Sequence, residues 1–119
     1  MDGVRKKGSA VRGTWKAFER LVAKSFGTER TALSGGNSKV TRSDTLHDVL
    51  YVECKYGKRV APWSLFKDAA AKATVEGKVP VLCLKQKGET GFLVVCLASD
   101  LRNVSDYLFV KEENQDVII

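Results

Sequence analysis

The chain has 119 residues, 44% of them apolar and 29% charged, which suits one domain around a single core. Lysine and arginine total 20 against 14 acidic residues, a formal charge of +6, so polyanionic partners are favoured. A single histidine, His47, excludes multi-histidine metal sites and leaves any Ser-His or Cys-His nucleophile system only one possible base.

No apolar run approaches the length of a membrane span. The basic start, Met1 to Ser9, has no apolar signal region behind it. The expected location is therefore the cytoplasm (of the host, if a phage encodes the chain), with no membrane partner. Cys54, Cys83 and Cys96 each lie in an apolar run, with no CxxC spacing. They read as buried, reduced thiols rather than a disulfide framework.

Residues 1–12 are basic and contain Gly and Ser, and read as a flexible arm. The folded domain is expected over 13–108. From Thr14 the pattern is helical: Trp15, Phe18, Val22 and Phe26 recur at three- and four-residue steps, with Leu21 beside them. Lys16, Arg20 and Lys24 recur on another face, Glu19 lies on the apolar flank, and Gly27 is a natural stop. Arg30 to Leu33 reads as a short strand, and Ser34-Gly-Gly-Asn-Ser38 as a flexible loop. Val40 to Leu46 is a weak strand and Val49 to Tyr56 a strong one, ended by Gly57.

Pro62 then opens an alanine-rich helix over 63–76, which Gly77 closes. Trp63, Leu65 and Phe66 in its first turns are either core or a dimer interface, and core is the preferred reading. Val79 to Lys85 and Phe92 to Leu97 read as strands about a turn at 87–91, and 99–108 as a short helix. Residues 109–119 form a polar tail in which Val117 to Ile119 are apolar enough to dock as an edge strand. A hairpin followed by a strand–helix–strand crossover predicts an α/β fold with a mixed sheet flanked by helices.

The chemistry concentrates in Asp44-Thr-Leu-His-Asp-Val-Leu-Tyr-Val-Glu53-Cys54-Lys55. Side chains alternate along a strand, so Glu53 and Lys55 share a face. If the chain folds back at His47-Asp48, Leu46 meets Val49 and Asp44 meets Tyr51, which has the parity of Glu53. Asp44, Glu53 and Lys55 then converge. A carboxylate and an ammonium are expensive to desolvate within a core strand, so this placement points to function.

In these residues the chain resembles the PD-(D/E)xK nuclease superfamily, most closely the small archaeal and phage Holliday-junction resolvases. That family carries an acid on the second core strand and (D/E)xK on the third, here Asp44 and Glu53-Cys54-Lys55. A first-helix glutamate in a Gly-x-x-x-x-Glu-Arg-like setting corresponds to Gly13 through Glu19-Arg20. One departure is Ser43, where the family pattern has proline. The resemblance implies a restriction-endonuclease-like core and Mg²⁺-dependent cleavage of DNA, with Mn²⁺ as a substitute. It also implies branched or four-way-junction substrates in recombination and a homodimer for two symmetric cuts.

Mg²⁺ is a hard cation that a pair of carboxylates can hold, a role for Asp44 and Glu53. By resemblance the Cys54 backbone carbonyl is a further ligand. Lys55 would orient or deprotonate the attacking water, and Glu19 would hold a metal-bound water or a second ion. Arg12, Lys16, Arg42, Lys58 and Arg59 are the cations expected to meet phosphate. Gln86 matches a position where relatives place a polar site residue, with Lys85 as its competitor.

Other readings compete. Glu53 and Lys55 also fit a solvated strand face, and Glu19 an ordinary surface position. Asp48 rivals Asp44 as the first acid but fits a turn better, as does His47. Tyr51 and Tyr56 read as packing groups. The Gly35-Gly36 loop lacks the Gly-Lys-Ser/Thr ending of a nucleotide site. Two alternative functions remain: a restriction-like or repair nuclease acting on duplex or single-stranded DNA, and a non-catalytic nucleic-acid-binding module of the same fold.

Overall fold

β-Branched and aromatic residues after His47 form β1 (Leu50–Gly57) in the computed structural model, which describes residues 2–32, 41–57 and 61–110. Alternation gives β1 two unlike faces. Leu50, Val52 and Cys54 pack with Phe18 and Val22 of α1 (Asp2–Ser25), and with Phe26 just after it, in the main core. Tyr51, Glu53 and Lys55 turn to the other face.

There α2 (Pro62–Glu76) lies against the sheet through Phe66, Ala69 and Ala73. Its alanines favour the helix and Pro62 suits its first turn. Gly77, at φ 65°, ends it, and the Lys78 N–H closes back on the Ala73 carbonyl at 3.0 Å. The chain returns as β2 (Val79–Gln86), parallel to β1, with Glu53 beside Leu82 and Lys55 beside Leu84. β3 (Leu93–Val95) runs antiparallel to β2. A 3-10 turn at Ala98–Asp100 leads into α3 (Leu101–Ser105), whose Val104 joins the main core. The result is an α/β fold: a three-stranded mixed sheet, ordered β1-β2-β3, between α1 and α3 on one face and α2 on the other.

Several expectations are revised. The helix begins at Asp2, so it takes in the stretch read as a flexible arm. Among the described residues, the two strands expected before β1 contribute one isolated antiparallel bridge, Arg30 to Thr45. Residues 41–46 still run beside β1, but no ladder joins them among the described residues, and the main-chain bond from the Asp44 N–H to the Val52 carbonyl is one residue off the expected Asp44–Tyr51 pairing. Side chains replace the missing ladder: Ser43 Oγ accepts the Val52 N–H at 2.9 Å and donates to the Val52 carbonyl at 3.0 Å.

Trp63 is 71% exposed rather than core, because it stands at the rim of an open cleft with Val95, Leu97 and Ala98; Leu65 is half-buried and Phe66 buried. Trp15 and Leu21 are likewise exposed. The expected 99–108 helix shortens to α3. The 34–38 loop and the Val117 to Ile119 strand lie outside the described residues. Among the described residues, no helix is long and apolar enough to cross a membrane.

Two substitutions test this packing. Ser43→Ala orphans the buried Val52 N–H and is expected to lower unfolding free energy by about 1–3 kcal/mol. Tyr51→Phe has the opposite sign: the Tyr51 hydroxyl is buried with no hydrogen-bond partner among the described residues. Removing it is expected to stabilise by about 1 kcal/mol. Denaturant unfolding at fixed pH measures both.

Candidate active site

The bend before β1 is built by His47. Its Nδ1 accepts the N–H groups of Val49 at 3.1 Å and Leu50 at 3.0 Å, so the ring must be neutral there. Burial lowers its pKa accordingly, and Tyr107 closes over it edge-on at 4.7 Å. This places residues 41–46 along the open edge of β1. Asp48 is exposed in the bend, away from the acids, as its turn reading expects.

Asp44 reaches that edge with backbone and side chain together. Its N–H donates to the Val52 carbonyl at 2.9 Å, and its Oδ2 accepts the Cys54 N–H at 2.8 Å. The N–H and carbonyl of one strand residue point to the same side, so the Cys54 carbonyl faces this edge too.

Burial is the main reason that the Asp44 carboxyl is pushed up to about 7; the nearby charge of Glu53 adds to it and Glu19 contributes less. The Cys54 N–H and Lys55 pull the other way without cancelling the rise. Glu53 is also raised, chiefly by burial, against the pull of Lys55 and of Lys72 on α2. Lys55 Nζ stands 3.5 Å from Glu53 Oε2 with 41% of its side chain exposed, so it reaches solvent while tethered.

Glu19 is buried, which removes the surface reading, and its Oε1 accepts the Nε–H of Arg30 at 2.6 Å. Sequence reasoning missed Arg30: nothing local distinguishes it from other surface arginines, and its partner is 11 residues away. Among the described residues no group of three or more His, Cys, Asp and Glu side chains is gathered as a metal cage. Mg²⁺ commonly takes one or two carboxylates and fills its shell with water. Asp44, Glu53 and the Cys54 carbonyl fit that demand in donor type and charge.

The remaining candidates are dispersed. Gln86 ends β2, exposed, in a cleft of about 440 Å³ with Pro62 and Phe92. Lys85 points to the opposite face and its ammonium binds the Glu89 carbonyl. Lys16 and Arg42 are exposed. Lys58 and Arg59, and the side chain of Arg12, lie outside the described residues. Tyr51 and Tyr56 are packing groups, Tyr51 wholly buried and Tyr56 beside Phe18 with ring centroids 6.3 Å apart. The three thiols are free, and burial raises the pKa of each.

No protein-family model matches this sequence, and neither a curated protein nor a solved structure shows significant similarity to it.

The Asp44 shift has a definite sign. Its folded pKa, about 7, exceeds the ordinary 3.8, so the folded protein keeps a proton that the unfolded chain has released. The stabilisation is whole below about pH 4 and is lost as pH rises through 7. Without divalent cations, the wild type should lose on the order of 2–4 kcal/mol relative to Asp44→Asn between pH 4 and 8. Parallel stability profiles of the two proteins, measured in chelator, would contradict the burial described here. Comparison with the asparagine variant cancels the contribution of His47.

Proposed function

We propose that this protein is a metal-dependent DNA endonuclease of the PD-(D/E)xK type with a restriction-endonuclease-like core. The observation that carries the reading is electrostatic. Two acids, Asp44 and Glu53, interact at the edge of β1, and Lys55 stands on the same strand face as Glu53 in a chain of charge +6. A buried acid pair is costly to maintain unless a cation is to be held there. The basic row Lys16, Arg20 and Lys24, exposed on α1, suits a phosphodiester backbone.

A divalent ion held by Asp44, Glu53 and the Cys54 carbonyl would neutralise phosphate charge and activate the phosphorus toward water. The chain's own residues account for the rest. Asp44 is held rigid by the Cys54 N–H, so its free oxygen has a fixed direction. Glu53 restrains Lys55, whose ammonium meets the incoming phosphate or aligns the attacking water. Glu19, paired with Arg30, lies close enough for its charge still to act on Asp44. The preference for four-way junctions, and the homodimer that two symmetric cuts require, rest on the resemblance of the motif.

The test is incubation with four-way junctions, flaps, duplex and single strands in Mg²⁺ and Mn²⁺. Cleavage is expected, and the substrate profile separates a resolvase from a restriction-like or repair enzyme. Salt-sensitive binding that ignores divalent ions, with no cleavage, would favour the non-catalytic module. Lys55→Ala is expected to reduce cleavage by at least about a hundredfold while leaving DNA affinity nearly unchanged. Wild-type turnover by that variant would remove Lys55 from the mechanism.

A further inference from the structure

The acid edge is anchored from an unexpected place. α2 ends in Glu76, at the pole of the helix dipole that disfavours a carboxylate, and no basic residue occupies the last turn. Both of its oxygens are nevertheless used. Oε1 accepts the Thr41 hydroxyl at 2.5 Å and Oε2 accepts the Arg42 N–H at 2.9 Å. Lys78 Nζ adds an ion pair at 3.4 Å.

The contact continues inward. Thr41 Oγ1 accepts the Ser43 N–H at 3.0 Å, and Ser43 Oγ is bonded to both backbone groups of Val52. An unbroken chain of hydrogen bonds thus runs from the end of α2 to the middle of β1, and Asp44 is the next residue along it. Burial alone would raise the Glu76 pKa. The Arg42 N–H, the Thr41 hydroxyl and Lys78 outweigh it and leave it lowered, so the clamp is ionised at neutral pH.

We propose that Glu76 is a positioning residue for Asp44: its carboxylate fixes residues 41–43 against β1 and thereby holds the Asp44 side chain at the acid edge beside Glu53. The structural half of this stands without any activity. The catalytic half rests on the nuclease reading above.

The experiment compares Glu76→Ala, Glu76→Gln, Thr41→Val and Lys78→Ala by amide hydrogen exchange without divalent ions, and by calorimetric titration with Mn²⁺. Glu76→Ala is expected to speed exchange of the Val52 and Cys54 amides about tenfold while the β2 amides stay as in the wild type. Mn²⁺ affinity should weaken by a similar factor. Glutamine can accept from Arg42 and donate to Thr41, so it restores both readouts to within roughly threefold. Thr41→Val removes both the bond to Glu76 and the acceptor of the Ser43 N–H, so it should speed exchange of the same two amides at least as much as Glu76→Ala, and Lys78→Ala should resemble the wild type.

Unchanged Val52 and Cys54 exchange in Glu76→Ala would overturn the proposal, as would acceleration spread equally over β2. If Glu76→Ala does not fold, Thr41→Val decides, and wild-type exchange in that variant would overturn it too. Failure of the wild type to bind Mn²⁺ would defeat the nuclease reading instead, leaving the exchange rates to judge the anchor.

Discussion

One strand edge governs this molecule. Among the described residues β1 has a strand partner, β2, on one side only; on the other, its N–H groups must be satisfied by something else. Ser43 Oγ and Asp44 Oδ2 take the Val52 and Cys54 N–H groups in turn. The same substitution that completes the strand brings a carboxylate into a half-buried position beside Glu53. Structural need and chemical potential coincide in one residue: Asp44 is held because Cys54 needs an acceptor, and it is perturbed because the place where it is held is dry and already negative.

The rest of the fold supports that edge from several directions. His47 turns the chain into β1 by accepting two amides on one ring nitrogen. Thr31 bonds the Ser43 carbonyl through its hydroxyl at 2.8 Å and the Asp44 carbonyl through its N–H at 3.0 Å. Glu76 reaches back from the end of α2. Apart from the Thr31 N–H, each is a side-chain device at a point where a regular ladder would have needed none. Polar groups buried this way are stabilising only while fully paired, which explains why so short a segment carries so many partners.

The local physics of the sequence was sufficient for β1, α2 and β2, because period-2 and period-3.6 patterns and the Pro62 and Gly77 boundaries are all short-range signals. Parity alone put Glu53 and Lys55 on one face, and the turn arithmetic at His47-Asp48 brought Asp44 beside β1, although its N–H meets the Val52 carbonyl and not Tyr51. Other features were illegible for a common reason. The Glu19–Arg30 pair and the Glu76–Thr41 clamp join side chains 11 and 35 residues apart, and no local pattern encodes such pairings. Ser43 was visible only as a departure from proline; its work, one hydroxyl standing in for a strand partner, is a property of three-dimensional geometry. Trp63 misled because an aromatic in the first turn of a helix can line the rim of an open cleft, here with Val95 and Leu97, instead of entering the core.

The cysteines have a consequence of their own. Cys54 and Cys83 lie side by side across the β1–β2 seam, both sealed from solvent, whereas Cys96 is half-buried after β3. Burial keeps the two inner sulfurs as unreactive thiols. An alkylating reagent therefore meets Cys96 at the surface of the native protein and meets the other two only when the strands part. The rate of their modification would clock the opening of the sheet itself, with no label added to the molecule.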